Sequence, residues 1–365
     1  MQKSILITGG AGFIGTNLAA RFARDGHRVL VLDNFARAGV SDNWAWLQAH
    51  HGDAVELLSA DVRDEDAVIE AVERADAVFH LAAQVAVTTS LCAPLEDFEV
   101  NARGTLNILE AIRQRRDRTG QVIPLVFTST NKVYGGLEDV TMLPEATRYV
   151  PADAGVQQGI SEARPLDFHS PYGCSKGAAD QYVLDYARTF DLPFCAFRMS
   201  CIYGPHQRGN EDQGWVAHFL LQALRGEPLT LYGDGKQVRD LLFVEDLVDA
   251  FLVALSNIDF LRGRAFNIGG GPDNARSLLE VLDAIEELDG ARPEVLWGDW
   301  RPGDQKFYVS DTRAYQNAVG WCARVSVSEG LERLYAWFSQ AGVKSHLNGV
   351  TNGVASAIAK EVMQS

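Results

Sequence analysis

The chain lacks several features that mark common classes of protein. Its five cysteines form no C-x-x-C pair, and its eight histidines do not cluster with cysteines or carboxylates at the spacing of a metal site. No apolar run approaches the roughly 18 residues that a membrane-spanning helix needs, and residues 4–8 are too short for the apolar core of a signal peptide. We therefore expect reduced thiols, no metal, no membrane partner and a cytoplasmic location.

Positive charge is also scarce. Lys and Arg number 33 against 48 Asp and Glu, which gives a formal net charge of −15. A chain this acidic repels nucleic acid, so we expect no nucleic-acid partner. Hydrophobic residues make up 47% and charged residues 22%, as in an ordinary globular enzyme, and a length of 365 residues favours two lobes over one small domain.

The first 200 residues alternate between short apolar runs and amphipathic stretches of helical length. The runs lie at residues 5–7, 29–32, 55–58, 77–81, 124–128 and 194–197, and the helical stretches at 13–25, 65–74, 98–115 and 172–190. Apolar runs without polar alternation are typical of strands buried on both faces of a parallel sheet. The alternation predicts an α/β fold of the Rossmann type, a doubly wound parallel sheet with its ligands beyond the carboxyl ends of the strands.

The alternation weakens after residue 204, and this change predicts the division into lobes. We predict an NAD-binding Rossmann domain at residues 1–204 and 239–270, and a smaller C-terminal α/β lobe that binds substrate at 205–238 and 271–338. A C-terminal tail follows at 339–365. Residues 240–256 are predicted to form a helix that packs back on the first domain.

The first strand runs into a glycine-rich turn, Gly10-x-Gly12-x-x-Gly15, that opens the first helix. Glycines allow the tight turn and bring the backbone close to a pyrophosphate at the helix N-terminus. Asp33 ends the second strand, where it is placed to bind the adenosine ribose and repel a 2′-phosphate, which favours NAD over NADP. Asp61 either contacts the cofactor or caps the following helix. The predicted cofactor-binding residues are Gly9, Gly12, Phe13, Ile14, Gly15, Asp33, Asn34, Asp61, Val62, Leu81, Ala82, Ala83, Thr128, Tyr172 and Lys176.

Tyr172 and Lys176 share one face of a helix that begins near Pro171. A tyrosine hydroxyl, with an ordinary pKa of about 10, is a poor base at neutral pH. A lysine ammonium and an oxidised nicotinamide both favour the phenolate, and one cation at about 4–5 Å lowers the pKa by roughly two to three units. Thr130, at the end of an upstream strand, is placed to orient the same substrate oxygen. We predict that Tyr172 is the general base and that Lys176 and Thr130 complete the catalytic set.

Together these motifs resemble the extended short-chain dehydrogenase/reductases, the NAD-dependent epimerase/dehydratase family that modifies nucleotide sugars. The resemblance covers roughly residues 4–338, and longer strings at 129–135, 167–182 and 212–216 are similar to its CDP-paratose (CDP-tyvelose) 2-epimerase branch. It implies a cytoplasmic isomerase that inverts carbon 2 of a CDP-hexose through a transient 2-keto intermediate and retains its NAD. It also implies a homo-oligomer that associates through paired helices, including the helix of Tyr172.

The resemblance also implies substrate contacts. Sugar 4,6-dehydratases of the family carry an Asp-Glu pair where this chain has Asn131 and Lys132, so dehydration is not expected; Lys132 either contacts substrate or forms a loop salt bridge. Arg239 and Arg301 are expected to clamp the diphosphate, the alternative for either alone being an ion pair with Asp240 or Asp304. Further predicted substrate-binding residues are Tyr232 beside the base, Gln84, Thr130, and Ser200, Cys201, Gln207 and Gln213, for which buried structural hydrogen bonds are the alternative.

Three other functions stay open at this point. The same tyrosine, lysine and threonine would serve a UDP-sugar 4-epimerase. A second alternative is a 2-epimerase of a CDP-hexose that keeps its 3-hydroxyl. The third, a catalytically silent NAD-binding protein, conflicts with the intact Thr130, Tyr172 and Lys176.

Overall fold

The computed structural model describes residues 2–210, 213–301 and 303–340. The strands are β1 (Ser4–Thr8), β2 (Arg28–Asp33), β3 (Val55–Ser59), β4 (Ala77–His80), β5 (Leu125–Thr130), β6 (Met142–Pro144), β7 (Tyr149–Pro151), β8 (Phe194–Met199), β9 (Cys201–Tyr203), β10 (Leu229–Tyr232), β11 (Val238–Phe243), β12 (Ala265–Ile268), β13 (Ala275–Ser277), β14 (Val295–Gly298) and β15 (Phe307–Tyr308).

The helices are α1 (Phe13–Arg24), α2 (Val40–His51), α3 (Glu65–Glu73), α4 (Val87–Cys92), α5 (Pro94–Phe98), α6 (Gly104–Thr119), α7 (Ala154–Gln157), α8 (Ser170–Thr189), α9 (Trp215–Arg225), α10 (Val244–Ser256), α11 (Ile258–Leu261), α12 (Leu278–Asp289), α13 (Arg313–Val319) and α14 (Val327–Gln340). A π-helical turn (Glu99–Arg103) joins α5 to α6, and a 3-10 turn (Asn131–Tyr134) follows β5. Of the predicted tail, residues 339–340 end α14 and residues 341–365 lie outside the described residues.

A seven-stranded parallel sheet forms the centre of the molecule, in the order β3-β2-β1-β4-β5-β8-β12. The strands are the apolar runs of the sequence, and every residue of β4 and β5 is buried. The strand order reverses between β1 and β4, which places a crevice for ligands at the carboxyl ends of these two strands. The predicted doubly wound Rossmann sheet is confirmed.

Helices cover both faces of this sheet because each has one apolar stripe. On one face, α1 and α10 bury residues such as Leu18, Phe22 and Phe251 against the strands. On the other face, α3, α6 and α8 form a second core, to which α8 contributes Ala179 and Val183, four residues apart and therefore on one side of the helix. This packing fixes α8, and with it Tyr172 and Lys176, beside β5.

The remaining strands belong to smaller sheets beyond the carboxyl edge of the large sheet. β11 pairs with β9 and β15 in parallel and with β13 antiparallel, while β10 pairs with β14. The helix predicted from residue 240 is wrong for its first four residues, because Asp240–Phe243 complete β11 and α10 begins at Val244. All six residues of β11 are buried, so their pattern is that of a strand covered on both faces.

Some elements do not follow the predicted division into lobes. β11 crosses the predicted boundary between residues 238 and 239. Tyr315 and Trp321, assigned to the second lobe, pack in the core of the first. The boundaries of the two lobes therefore stay a prediction. In the described part of the chain, none of the helices is long and apolar enough to cross a membrane.

Candidate active site

The turn between β1 and α1 contains glycines at positions where a side chain would not fit. Gly9 has φ +67°, and a Cβ there would lie 2.9 Å from the Ala82 nitrogen. A Cβ on Gly15 would lie 2.3 Å from the Gly9 carbonyl oxygen, so α1 sits directly on the turn. A Cβ on Gly12 would meet only that same oxygen, at 3.1 Å. Gly12 thus presents an open backbone face at the start of α1.

That face opens into a cleft between the start of α1, the segment after β2 and residues 206–208 and 213–214. Gly12 is the N-cap residue of α1, and the first turn of the helix carries no acidic side chain. The backbone N–H groups and the helix dipole therefore favour an anion in the cleft. The cleft is lined by Gly12, Phe13, Arg37, Ala38, Gly39, Val40, Asn43, His206, Gln207, Arg208, Gln213 and Gly214.

Asp33 ends β2 on the rim of the glycine turn. Its carboxylate accepts hydrogen bonds from the backbone N–H of Ala11 at 3.1 Å and of Phe35 at 3.0 Å. Burial raises the pKa of this carboxyl, while the two backbone donors and the charge of Arg37 act in the opposite direction. A carboxylate held this way has lone pairs left for the vicinal hydroxyls of a ribose. The position fits the predicted role.

The other predicted cofactor contacts line the ends of the neighbouring strands. Asp61 binds Arg63 and accepts a hydrogen bond from Asn34 Nδ2 at 2.7 Å, and the Arg63 hydrogen bond lowers its pKa to about 2. The alternative role of Asp61 as a helix cap is wrong, because Asp64 caps α3. The Ala82 nitrogen donates to Thr8 Oγ1, which draws the end of β4 toward the glycine turn. Val62 is buried, while Leu81 and Ala83 are partly exposed, as are Phe13 and Ile14 at the start of α1.

The three predicted catalytic residues come from two adjacent elements. Thr130 is the last residue of β5, and its hydroxyl accepts a hydrogen bond from the Lys132 nitrogen at 3.2 Å. Lys176 donates from Nζ to the Thr128 carbonyl oxygen at 2.6 Å and lies 4.3 Å from the centre of the Phe127 ring. Tyr172 precedes Lys176 by one turn of α8, and the Thr130 side chain lies close enough to the Tyr172 hydroxyl to lower its pKa.

The electrostatics of this pair differ from the sequence expectation. Burial raises the pKa of Tyr172 and the negative charge of Asp97 raises it further, while the nearby Thr130 side chain and the charge of Arg37 act in the opposite direction. Burial also lowers the pKa of Lys176 to about 7, against the attraction of Asp180 and Asp97. Desolvation therefore outweighs the stabilisation of the phenolate that was expected from Lys176. A further positive charge, such as that of an oxidised nicotinamide, is needed to make Tyr172 a base near neutral pH.

A buried polar network beside the pair was missed in the sequence. Asn101, in the π-helical turn, donates from Nδ2 to Ser175 Oγ at 3.0 Å and to Asp97 Oδ1 at 3.2 Å. Ser175 also donates to Asp97 Oδ2. Asp97 and Asn101 are four residues apart, a spacing that places both on one helix face and was the available signal.

His80 is a second residue that the sequence did not identify. It ends β4 and is buried, with its ring nitrogens 2.7 Å from Thr8 Oγ1 and 2.9 Å from Thr105 Oγ1. Burial lowers its pKa to about 3, and Lys176 acts in the same direction. The ring is therefore neutral at pH 7 and holds β1, β4 and α6 together beneath the site.

Charged residues converge where the smaller sheets face the end of β5. Arg239 is buried and donates from Nη2 to Asp304 Oδ1 at 2.6 Å, the pairing weighed as the alternative to a phosphate contact. Lys132 donates to the Gly303 carbonyl oxygen at 3.2 Å, and burial followed by the charge of Arg239 lowers its pKa to about 8. The Arg301 guanidinium lies 3.7 Å from the centre of the Tyr232 ring. Gln237 joins the two groups, since its Nε2 lies 2.7 Å from the Tyr232 carbonyl oxygen and 3.5 Å from Asp304 Oδ2, and cations beside an aromatic ring suit a nucleoside diphosphate.

The remaining predicted substrate residues make mostly structural contacts. Ser200 donates to buried Asp240, and Cys201 Sγ accepts from Trp215 Nε1 at 3.2 Å. Gln213 donates to the Val85 carbonyl oxygen, and Gln84 uses both ends of its amide on Ala86. Ser200, Cys201 and Gln213 thus make the structural hydrogen bonds that were their alternative, and Gln84, for which no alternative was given, is bonded to the backbone of Ala86.

Two amide side chains of the same set, Asn131 and Gln207, differ in whether their oxygen atom has a hydrogen-bond partner. Asn131 is buried next to Thr130, whose hydroxyl donates to its Oδ1 at 3.4 Å. Gln207 donates from Nε2 to the Ile202 carbonyl oxygen at 3.1 Å, while among the described residues its buried Oε1 has no hydrogen-bond partner. An unsatisfied buried acceptor on the wall of the cleft is suited to a ligand donor.

Comparison with known proteins places these features in context. A family model described as "NAD dependent epimerase/dehydratase family" matches residues 5–269. CDP-paratose 2-epimerase of Salmonella typhi is 42% identical over 342 residues, which is 92% of this chain and 99% of that protein. The UDP-glucose 4-epimerase of Thermus thermophilus, in its structure complexed with NAD, is 34% identical in sequence to this chain. The two structures superpose with a TM-score of 0.76 over 93% of this chain and 99% of that one. Thermotoga maritima UDP-glucose 4-epimerase with UDP-glucose is 28% identical, with a TM-score of 0.77 over the same shares.

Proposed function

The chain belongs to the NAD dependent epimerase/dehydratase family, and we propose that it is an NAD-dependent nucleotide-sugar epimerase that inverts carbon 2 of a CDP-hexose, of the CDP-paratose to CDP-tyvelose type. The observation that carries the substrate proposal is the 42% identity with CDP-paratose 2-epimerase along 92% of the chain. The site supports it, because Thr130, Tyr172 and Lys176 lie at the end of β5 and the start of α8, and Arg37, which lines the cleft at Gly12, acts electrostatically on Tyr172.

The residues present fit the cofactor of the family. Gly12 opens the N-terminus of α1 to a pyrophosphate, and Asp33 offers a carboxylate to the adenosine ribose. When bound, NAD supplies a hydride acceptor and donor, so that a sugar alcohol is oxidised and reduced without net redox change. A protein that holds NAD through the whole cycle therefore needs no second substrate.

The chemistry of the sugar decides where oxidation takes place. Paratose has no hydroxyl at carbon 3, so no ketone can form there to acidify carbon 2, and a ketone at carbon 4 would acidify only carbons 3 and 5. Inversion then requires oxidation at carbon 2 itself, followed by return of the hydride to the opposite face. Tyr172 takes the proton of the 2-hydroxyl and gives it back at the end, Thr130 orients the same oxygen, and Lys176 favours the phenolate.

The cluster opposite the end of β5 is proposed to hold the nucleotide. Arg239 and Arg301 bind the diphosphate, with Asp304 keeping Arg239 in place before substrate arrives. Tyr232 flanks the base beneath Arg301. Lys132 projects toward Arg239, where it can contact the sugar or the phosphates. Asn131 and Lys132 do not offer the acid pair that a dehydratase needs, which argues against elimination.

We also propose a homodimer. Leu91, Leu95, Phe98 and Tyr182 are 52%, 81%, 52% and 46% exposed on the neighbouring segments α4, α5 and α8. An apolar surface of this kind favours contact with a second copy. A light-scattering mass of twice 40.0 kDa supports the proposal, and a monomer at micromolar concentration rejects it.

The substrate proposal is tested by turnover. Purified protein is incubated separately with CDP-paratose, CDP-glucose and UDP-glucose, and the products are identified by NMR. Conversion of CDP-paratose to CDP-tyvelose is expected, with deuterium placed on carbon 2 retained in the product. Conversion of UDP-glucose alone would establish the 4-epimerase instead, and conversion of CDP-glucose would indicate a substrate that keeps its 3-hydroxyl. Loss of the deuterium to solvent would reject the 2-keto mechanism.

A further inference from the structure

Asp97 is a fully buried carboxylate close to the catalytic pair, with an exposed fraction of 0%. Its oxygens accept hydrogen bonds from the Ser175 hydroxyl and from Asn101 Nδ2. Within the described residues it forms no ion pair with a contacting cation. A carboxylate buried in this way is destabilising unless neighbouring donors and charges compensate it, so its presence requires an explanation.

The compensating charge lies on the next helix. α5 packs against α8, and Ser175, which binds Asp97, is the residue before Lys176. Lys176 is itself only 3% exposed, and its ammonium has one backbone acceptor, the Thr128 carbonyl oxygen. Burial lowers the pKa of Lys176 to about 7, and Asp180 and Asp97 are the two carboxylates that oppose this. Burial in turn raises the pKa of Asp97, and the Ser175 hydrogen bond and the charge of Lys176 oppose that rise, so each buried charge stabilises the other.

Asp180 exerts the larger attraction on Lys176 of the two, but its charge is already paired. Its two oxygens accept hydrogen bonds from Arg198 at 3.0 and 2.8 Å, and both side chains are buried. His80 faces Lys176 from β4 without charge, since burial lowers its pKa to about 3. The charge of Arg37 acts on Tyr172. Among the described groups around Lys176, Asp97 is therefore the carboxylate whose charge is not already neutralised by an arginine.

We propose that Asp97 is a positioning residue of the catalytic pair: its buried carboxylate fixes Ser175 and Asn101 and supplies the negative charge that keeps Lys176 an ammonium. It acts through Lys176 and does not touch the substrate. The same negative charge raises the pKa of Tyr172 directly, so its benefit to the phenolate comes through the protonated lysine. This inference rests on the proposed function only in assigning the reaction that the pair performs.

The protonation of Lys176 can be measured without any substrate. The chain contains seven lysines, so protein labelled with ¹³C at lysine Cε gives few signals, and the signal absent in Lys176→Met identifies the residue. The holoenzyme is titrated as wild type, Asp97→Asn and Asp97→Glu. Asp97→Asn is expected to lower the titration midpoint of Lys176 by about one to two pH units, the effect of one charge at about 6–12 Å in a dielectric of about 20. Asp97→Glu, which restores a carboxylate, is expected to return the midpoint toward that of wild type.

Ser175→Ala separates charge from packing, because it removes a hydrogen-bond donor and leaves the carboxylate. Its midpoint is expected to stay near that of wild type, and a shift as large as that of Asp97→Asn would overturn the proposal. An unchanged midpoint in Asp97→Asn would also overturn it. If Asp97→Asn does not fold, Asp97→Glu and Ser175→Ala still give the comparison, and a lowered midpoint in both would reject the role of the charge.

The pH dependence of turnover adds a readout tied to the reaction. In Asp97→Asn the alkaline limb of kcat is expected to move to lower pH, because Lys176 loses its proton earlier, while KM for the nucleotide sugar stays near its wild-type value. A Lys176 midpoint that is lower in Asp97→Asn than in wild type, together with no conversion of any CDP-hexose by wild type, would reject the proposed function and leave this inference standing. Equal losses in kcat at every pH would reject the inference while leaving the function intact.

Discussion

The Lys176 ammonium donates a hydrogen bond to the carbonyl oxygen of Thr128, 2.6 Å away, and so connects α8 to β5, the strand that carries Thr130. This hydrogen bond fixes the position of α8 along β5. As a result, Tyr172 lies next to the Thr130 side chain. Because burial raises the pKa of Tyr172, the site as it stands favours the phenol. The base forms only when further positive charge enters, which couples deprotonation to the presence of the oxidised cofactor.

Replacement of Tyr172 by phenylalanine removes the proposed base and leaves the helix intact. Tyr172→Phe is expected to lower kcat for epimerisation by about 10²- to 10⁴-fold, the usual contribution of a general base. NAD bound to the purified protein is expected to stay unchanged. Tyr186→Phe, fourteen residues along the same helix, loses only its hydrogen bond to Glu110 and is the matched control, which should keep full activity. Undiminished inversion of the sugar by Tyr172→Phe would reject the mechanism.

The fold was predictable because its signals are local. Buried parallel strands leave apolar runs, and the glycine turn between β1 and α1 has a fixed spacing, so both can be recognised in sequence. β11 was partly mistaken for a helix because Leu241, Leu242 and Phe243 run directly into the amphipathic pattern of α10, and no turn residue separates the two elements.

Within the candidate site, only the residues that belong to one local sequence motif could be predicted. Tyr172 and Lys176 share a helix, and their spacing shows it. Asp97 and Ser175 are 78 positions apart and meet only because α5 packs on α8. Ser200 was expected near the substrate because it follows a strand. Its hydroxyl instead donates a hydrogen bond to Asp240, whose burial cannot be recognised from the sequence. Desolvation of Tyr172 is likewise a property of the packed structure.

Two glycines of the dinucleotide turn are expected to respond differently to alanine. A Cβ on Gly15 would lie 2.3 Å from the Gly9 carbonyl oxygen, so Gly15→Ala must displace α1 and should lower both the melting temperature and the content of NAD. Gly12→Ala meets that oxygen only at 3.1 Å and otherwise fills the cleft, so it should keep the fold and lose mainly the cofactor. Thermal unfolding and NAD released on denaturation distinguish the two, and equal NAD content in Gly12→Ala and wild type would contradict the assignment.

Arg239 is expected to contribute binding more than chemistry. Arg239→Lys keeps the charge but loses the planar fork that suits both Asp304 and a diphosphate, so KM for the nucleotide sugar and Kd for CDP should rise by about tenfold or more. The effect on kcat should be smaller. Arg276, its cross-strand neighbour on β13, is the control, and Arg276→Lys should leave both constants unchanged. A loss confined to kcat would place Arg239 in the chemistry instead.

Acid should destabilise the protein through histidines that are buried in the neutral form. Burial lowers the pKa of His80 to about 3 from an ordinary 6.5, so the unfolded chain binds a proton across this interval that the folded chain does not. The stabilisation is therefore complete above pH 6.5 and is lost as the pH falls toward 3, by up to about 1.4 kcal/mol per pH unit for this residue. His206, whose pKa burial lowers to about 4, adds to the same slope. Urea unfolding of wild type and His80→Gln between pH 7 and about 4.5 measures how steeply the free energy of unfolding falls with pH. The variant should show the shallower dependence, whatever its stability at pH 7. The exposed His169 is the control, and a slope in His80→Gln as steep as in His169→Gln would show that His80 is not the residue whose protonation acid unfolding requires.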